Sequence, residues 1–308
     1  MDWRQQIEVL VRGERLRDAP LASRTAIRIG GPADLLVRPA APDDLSALLR
    51  ACRAQGVPLS ILGGGANLLV ADRCVRGVVV KLPQDFGEER ALGARLVLSA
   101  GAPASRLVAR AQKLGLVGVE WAAGIPGTLG GLVAMNAGTP MGEMKDDATR
   151  VEIATAEGTG WVEASALAFG YRSATLPPAG VVTRLEVELR PGDVAAAAAV
   201  MKADVERRRA TQPLTQPTFG STFTNPPGDH AGRLIEAVGL KGHRVGNATW
   251  SPAHANFVTN LGGASARDVL ALVNLARWRV KERFGVTLEP EVRLMGEFLA
   301  DEFLVPCR

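Results

Sequence analysis

Two glycine clusters do most to constrain how this chain can fold. The first, Ile61-Leu62-Gly63-Gly64-Gly65-Ala66-Asn67-Leu68-Leu69-Val70, ends one apolar stretch, turns through three glycines and resumes another. The second, Ala123-Gly124-Ile125-Pro126-Gly127-Thr128-Leu129-Gly130-Gly131-Leu132, closes on Met135-Asn136-Ala137-Gly138. Glycine admits positive φ and lets backbone N–H groups approach an anion with no Cβ in the way. Each cluster is therefore either a tight turn between buried elements or a phosphate cradle. The first lacks the Lys-Ser/Thr ending of a nucleoside-triphosphate loop. The second is not Gly-x-Gly-x-x-Gly, and no strand–helix–strand unit surrounds it, so a Rossmann reading is poor. A short helix beginning near Thr128 would turn its N-terminus towards an anion. Two such clusters in one chain favour ligand binding over two coincidental turns.

Around these clusters strands and helices alternate. Strands are expected at residues 33–38, 59–62, 77–82, 95–99, 150–154 and 181–189, and helices at 42–55 and 103–114. Asp43 and Asp44 in the first turn of the 42–55 helix suit its dipole. Residues 192–211, rich in alanine and then in arginine, read as a helix bridging to a last domain. That domain opens on a polar loop at 212–229 and continues with helices at 231–238 and 266–284 and a closing strand at 288–294. Ser265 can cap the long helix, and Val269, Leu272, Val273, Ala276 and Val280 make its apolar face. The length of 308 residues suits about two domains of roughly 150 residues each.

Several chemistries are disfavoured. The net charge of +4 is mild and aromatics are only 5%, unlike a nucleic-acid binder. Cys52, Cys74 and Cys307 are scattered, which suits a reducing compartment. His230, His243 and His254 have no metal-ligand spacing, so no metal is expected. No signal-peptide plan is evident, and no apolar run reaches the ~18 residues of a membrane span.

Three further segments carry groups able to do chemistry. They are Phe169-Gly170-Tyr171-Arg172-Ser173, Gly220-Ser221-Thr222-Phe223-Thr224-Asn225-Pro226 and Leu288-Glu289-Pro290-Glu291-Val292-Arg293. Arg172 alone reads as a surface charge. Ser221 can be a proton donor or a turn residue. In an extended stretch Glu289, Glu291 and Arg293 share one face, usually a solvated edge.

Together and in this order, these segments resemble the UDP-N-acetylenolpyruvoylglucosamine reductase family. The resemblance runs over about residues 22–296 and includes Ile29-Gly30-Gly31-Pro32-Ala33-Asp34 and His254-Ala255-Asn256-Phe257. It implies an α+β chain: a two-subdomain FAD-binding fold of the vanillyl-alcohol-oxidase type (residues 1–80 and 81–205), then a substrate-binding domain (206–308). It also implies non-covalent FAD at the first loop (Gly63, Gly64, Gly65, Ala66, Asn67 and Leu68). The second loop adds Ala123, Gly124, Ile125, Pro126, Gly127, Thr128, Gly130, Gly131, Asn136, Ala137 and Gly138, with Arg293 contributing. The short spacing between Arg172 and Ser221 resembles the family's type without a substrate-covering insertion. By position, Arg172, Ser221 and Glu291 match the catalytic trio, and Tyr171, Gly220 and Asn225 join them in binding substrate. The implied activity is NADPH-dependent reduction of UDP-N-acetylglucosamine enolpyruvate to UDP-N-acetylmuramate, by a cytoplasmic monomer without nucleic-acid or membrane partners. Three departures stand out: Ala66 replaces a usual serine, Thr224 a common lysine, and Arg24 a usual asparagine. The rival readings are another flavin oxidoreductase of the same superfamily, turning over with oxygen and small alcohols, and a colourless, non-catalytic nucleotide-sugar binding protein.

Overall fold

The computed structural model describes residues 2–298; Cys307 lies outside the described residues. The chain forms two compact units. The first takes the chain up to Arg17, residues 35–64 and residues 77–206. The second takes residues 18–34, 65–76 and the chain from Arg207 onward. One crossing, Gly64 to Gly65, falls inside the first glycine cluster, and another falls inside the helix Val194–Thr211.

The first unit holds two cores. In one, the helix Pro42–Ala54 buries Leu45, Leu48, Leu49 and Cys52 among Leu35, Val37, Val78 and Val80. Leu59–Ile61 runs parallel to Val75–Val80 there. The other is built on an antiparallel sheet ordered Thr159–Glu163, Ala148–Ala154, Val181–Glu188, Arg95–Ser99, Arg90–Leu92. Leu96, Leu98, Val151, Leu185 and Val187 line its buried side, together with Leu107 and Ala111 of the helix Ala104–Lys113. Charged pairs cross the strands: Arg184 Nη2 lies 2.6 Å from Glu152 Oε1, and Arg150 Nη2 lies 2.6 Å from Glu186 Oε2. Both guanidinium groups lie over the Trp161 ring, at 5.3 and 5.1 Å. The Arg150 hydrogen bond holds the Glu186 carboxyl below its ordinary range.

The second unit is built on the sheet Thr218–Ser221, Phe257–Asn260, Ala248–Trp250, Arg244–Val245 and on the helix Ala266–Phe284. That helix matches expectation because its signals are local. The Ser265 Oγ accepts from Asp268 N at 3.0 Å, the Asp268 carboxylate accepts from Ser265 N, and Gly285 at φ 69° ends it. Arg293–Met295 pairs in parallel with Leu68–Val70.

Two expectations need correction. The predicted strand at 288–294 is a strand only over Arg293–Met295. Pro290 has no N–H for a ladder, and this part makes a single bridge, Phe223 to Pro290. The polar loop at 212–229 contains the strand Thr218–Ser221, whose partner, Phe257–Asn260, lies far along the chain and was also missed. The N-terminal helix Trp3–Leu10 and strand Gly13–Pro20 were not anticipated either. Among the described residues no helix is long and apolar enough to cross a membrane, and no group of three or more His, Cys, Asp or Glu could hold a metal.

One acid in the first unit sets a pH dependence. Desolvation pushes the Asp147 carboxyl up to about 6, against the opposing effect of Trp121 Nε1, which donates to it at 2.7 Å. An acid whose folded pKa is raised loses stabilisation as pH climbs from its unfolded value near 4 through the folded one. Stability should therefore fall between about pH 4 and 6, by on the order of 1–2 kcal/mol after allowance for solvent at this half-buried group. Asp147→Asn keeps an acceptor for Trp121 and should flatten that step in denaturant titrations across the range. A wild-type pH dependence that survives in the variant would contradict the assignment.

Candidate functional site

The two glycine loops meet within the first unit. A Cβ on Gly64 would lie 2.6 Å from Gly127 Cα, and one on Gly63 would lie 2.7 Å from Thr128 Oγ1. The contact thus requires glycine on the first loop and a bare backbone facing it. Positive φ at Gly124 (67°) and Gly127 (123°) shapes the second loop. Leu62 N donates to Val80 O, and Lys81 Nζ donates to Gly63 O at 2.5 Å, which fixes the start of the first loop. A cavity of about 170 Å³ opens where the loops converge. Gly63, Thr128, Gly130 and Gly131 line it together with Leu82, Ala100 and Val182.

Thr128 stands at the N-cap of the short helix Leu129–Ala134, as expected. The anion-binding role expected of that helix start is narrower than the sequence implied. Leu129 N and Gly130 N donate to Ala102 O and Ala100 O at 2.8 Å each, so the neighbouring sheet segment takes those two donors. A glycine-lined space beside apolar side chains, with the loops' remaining backbone around it, suits a flavin nucleotide, whose ring is flat and apolar and whose pyrophosphate wants N–H groups.

The end of the second cluster holds the Tyr171-Arg172 segment. Gly170 and Ser173 exchange backbone hydrogen bonds at 3.0 and 3.3 Å, closing a turn that carries Tyr171 and Arg172 at its tip. Arg172 has φ 55°, a left-handed conformation that non-glycine residues seldom adopt. Its Nη2 donates to Gly138 O at 2.8 Å and its Nη1 to Asn136 O at 3.4 Å. Asn136 is fully buried: its Nδ2 donates to Gly170 O at 2.9 Å and its Oδ1 accepts from Lys145 N at 3.0 Å. That side chain therefore ties the loop to the arginine turn. Tyr171 is 57% exposed.

The second unit brings Ser221 and Glu291 onto adjoining segments. Thr222 O accepts from Glu291 N at 2.9 Å, and Thr224 N donates to Glu289 O at 3.0 Å. Asn67 brackets the same segment: its Nδ2 donates to Glu291 O at 3.0 Å, and its carbonyl accepts from Arg293 N at 3.1 Å. The latter half of the first glycine loop, with half-buried Ala66 and Leu68, is thereby joined to the C-terminal acidic segment. Asn225 Oδ1 accepts from Ala231 N at 3.1 Å, which steadies the start of the helix Ala231–Ala237. Gly220 has φ 85° in a register irregularity just before Ser221. Sequence reasoning gave no part to Lys81, and quoted Asn256 within a matching segment without assigning it a role. Both act through backbone groups distant in sequence, which no local spacing reveals.

Residues 33–162 match a family model for an FAD binding domain, and residues 212–295 match one for the C-terminal domain of UDP-N-acetylenolpyruvoylglucosamine reductase. The reductase of that name from Anaeromyxobacter sp. strain K is 71% identical, over 98% of this chain and 92% of its own length. That from Myxococcus xanthus is 56% identical, over 91% and 92%. The crystal structure of the Thermus caldophilus enzyme aligns with a TM-score of 0.77 and 38% identity, over 92% of this chain and 99% of its own. The chain belongs to the UDP-N-acetylenolpyruvoylglucosamine reductase family, FAD-binding oxidoreductases of peptidoglycan synthesis.

Proposed function

We propose that the chain reduces UDP-N-acetylglucosamine enolpyruvate to UDP-N-acetylmuramate, with NADPH as electron source, as a cytoplasmic monomer. The observation that carries this reading is the placement of Ser221 and Glu291 on segments linked by the Glu291 N to Thr222 O hydrogen bond. A proton donor and a carboxylate-binding acid are needed near one substrate atom pair, and these two side chains come from neighbouring backbones.

FAD, when bound, supplies the two-electron relay between nicotinamide and enol ether. Gly63, Gly64, Gly127 and Thr128 would hold it in the first unit, and Ala66, Asn67, Leu68 and Arg293 complete the assignment in the second. Residues 1–80 and 81–205 are taken as its two subdomains and 206–308 as the substrate domain. Reduction at C3 of the enolpyruvyl group places negative charge towards the substrate carboxylate. The Arg172 cation and a hydrogen bond from Glu291 would stabilise that charge. Ser221 Oγ would then deliver a proton to C2. A hydroxyl is a weak acid in water, so this step requires a strongly basic carbon and a fixed donor. Tyr171, Gly220 and Asn225 would contact the rest of the substrate.

Purified protein should be yellow, bleach anaerobically with NADPH and regain colour with the UDP-sugar enol ether. Recolouring by oxygen and small alcohols alone would favour the rival oxidase, and a colourless preparation that binds the sugar would favour the non-catalytic reading. Ser221→Ala should leave bleaching intact and slow recolouring by at least about 10²-fold, because one half-reaction loses a transition-state interaction. Glu291→Gln should slow the same half. Equal losses in both halves would refute these roles. Gly64→Ala should fold less stably and retain less FAD on gel filtration, since the new methyl meets backbone and cannot swing aside. Full flavin retention would remove the loop contact from the cofactor's account.

A further inference from the structure

We infer that Asn256 is the positioning residue for Ser221, fixing the backbone that aims the serine hydroxyl at the substrate carbon. The inference rests on the proton-donor reading of Ser221 above.

A weakly acidic donor works only from a narrow range of positions, so something must hold it to within about 0.5 Å. The chain on the N-terminal side of Ser221 does not. Gly220 has φ 85°, and a Cβ there would meet nothing within 4 Å. The pairing of Thr218–Ser221 with Phe257–Asn260 shifts register between Thr218 and Ser221. Such an irregularity re-aims a side chain and gives up ladder hydrogen bonds.

Ser221 itself is paired with Phe257, and on its C-terminal side the hold centres on Asn256. Asn256 O accepts from Thr222 N at 2.8 Å. Its Oδ1 accepts from Phe223 N at 3.0 Å and its Nδ2 donates to Phe223 O at 2.8 Å. The side-chain amide thus pairs with both polar groups of one buried residue, as a neighbouring strand would. Asn256 is 3% exposed and Phe223 1%, so water does not compete. The Phe223 ring stacks on Trp250, with centroids 6.0 Å apart, which closes the clamp from below. Thr222, held by the same clamp, is the residue whose carbonyl receives Glu291 N. Replacing the amide by a hydrocarbon leaves the Phe223 N–H and C=O both buried without partners, which the segment can relieve only by moving.

The test uses flavin-loaded wild type, Asn256→Leu, Asn256→Asp and Ser221→Ala. Each is reduced with a stoichiometric amount of dithionite, which needs no NADPH site, and mixed anaerobically with UDP-N-acetylglucosamine enolpyruvate while flavin absorbance returns. Asn256→Leu should recolour on the order of 10²-fold more slowly at saturating substrate, the cost of a misplacement of about 1 Å. Its half-saturating concentration should change by no more than about 3-fold, since binding contacts remain. Asn256→Asp keeps the shape and serves if the leucine variant does not fold. Its introduced carboxylate still accepts from Phe223 N–H but cannot donate to Phe223 O; protonated, it does both. Its rate as a fraction of the wild-type rate should therefore climb as pH falls. The ratio to wild type is read because His254, whose Nδ1 accepts from Asn256 N, and Glu289 and Glu291 on the facing segment surround the same clamp.

Wild-type recolouring by flavin-loaded Asn256→Leu, or a pH-independent ratio for Asn256→Asp, overturns the positioning role. If Ser221→Ala recolours at the wild-type rate, the proton-donor reading falls and takes this inference with it. If Ser221→Ala is slow while the Asn256 variants are not, only the inference falls.

Discussion

The bare-backbone contact between Gly64 and Gly127 is the constraint on which the first unit depends. A methyl on Gly64 would approach the facing Cα to 2.6 Å. The contact is extended by Ala104 N donating to Gly127 O at 3.2 Å and by the bridge between Pro103 and Thr128. One loop ends a strand of the smaller sheet. The other is hung from the larger sheet through the Leu129 and Gly130 bonds to Ala102 and Ala100. Loop contact and sheet anchoring therefore fix each other. The cavity at the junction exists because the walls on that side are backbone and small residues.

The second unit solves a different problem by different means. Ser221 and Glu291, the side chains proposed to act on substrate, sit on segments that are poor strands, one broken by Gly220 and the other by Pro290. Neither can be held by a continuous ladder. Asparagine amides substitute for missing strand bonds: that of Asn256 pairs with both polar groups of Phe223, and that of Asn67 donates to Glu291 O while the Asn67 backbone carbonyl takes Arg293 N. A third, Asn260, donates to Ile27 O and accepts from Gly262 N and Ala264 N. An amide carries both a donor and an acceptor, so it can satisfy a peptide group that a hydroxyl or a carboxylate would leave half paired.

This contrast explains what was legible in the sequence. Gly63 to Gly65 and Gly124 to Gly138 were visible because exclusion of a Cβ selects one residue type, and the selection repeats within a few positions. The helix Ala266–Phe284 was visible for a similar reason: Ser265, Asp268 and Gly285 act within one turn of its ends. The strand Thr218–Ser221 was not visible. It has one buried apolar residue, Phe219, and its pairing partner is some forty residues away, as the Thr218 to Val258 hydrogen bond shows. The clamp by Asn256 spans 33 residues, and the reach of Asn67 to Glu291 spans 224. Such pairings leave no periodicity. Order and identity of motifs could mark Ser221 and Glu291 as important, but only the fold shows them on adjoining backbones.

The alanine at position 66 fits this reliance on main chain. A hydroxyl there would have offered an anion one side-chain donor, and this chain does without it. At the other end of the same loop Lys81 Nζ donates to the Gly63 carbonyl at 2.5 Å. An ammonium bonded to a peptide oxygen draws electron density along the amide and strengthens the N–H at its far end as a donor. That far end is the N–H of Gly64, the residue whose missing side chain permits the loop contact. One cation thus acts through a peptide group at the residue that can carry no side chain of its own. Because the charge works at second hand, it reaches the Gly64 N–H without disturbing the backbone approach that a bulkier, directly contacting residue would prevent.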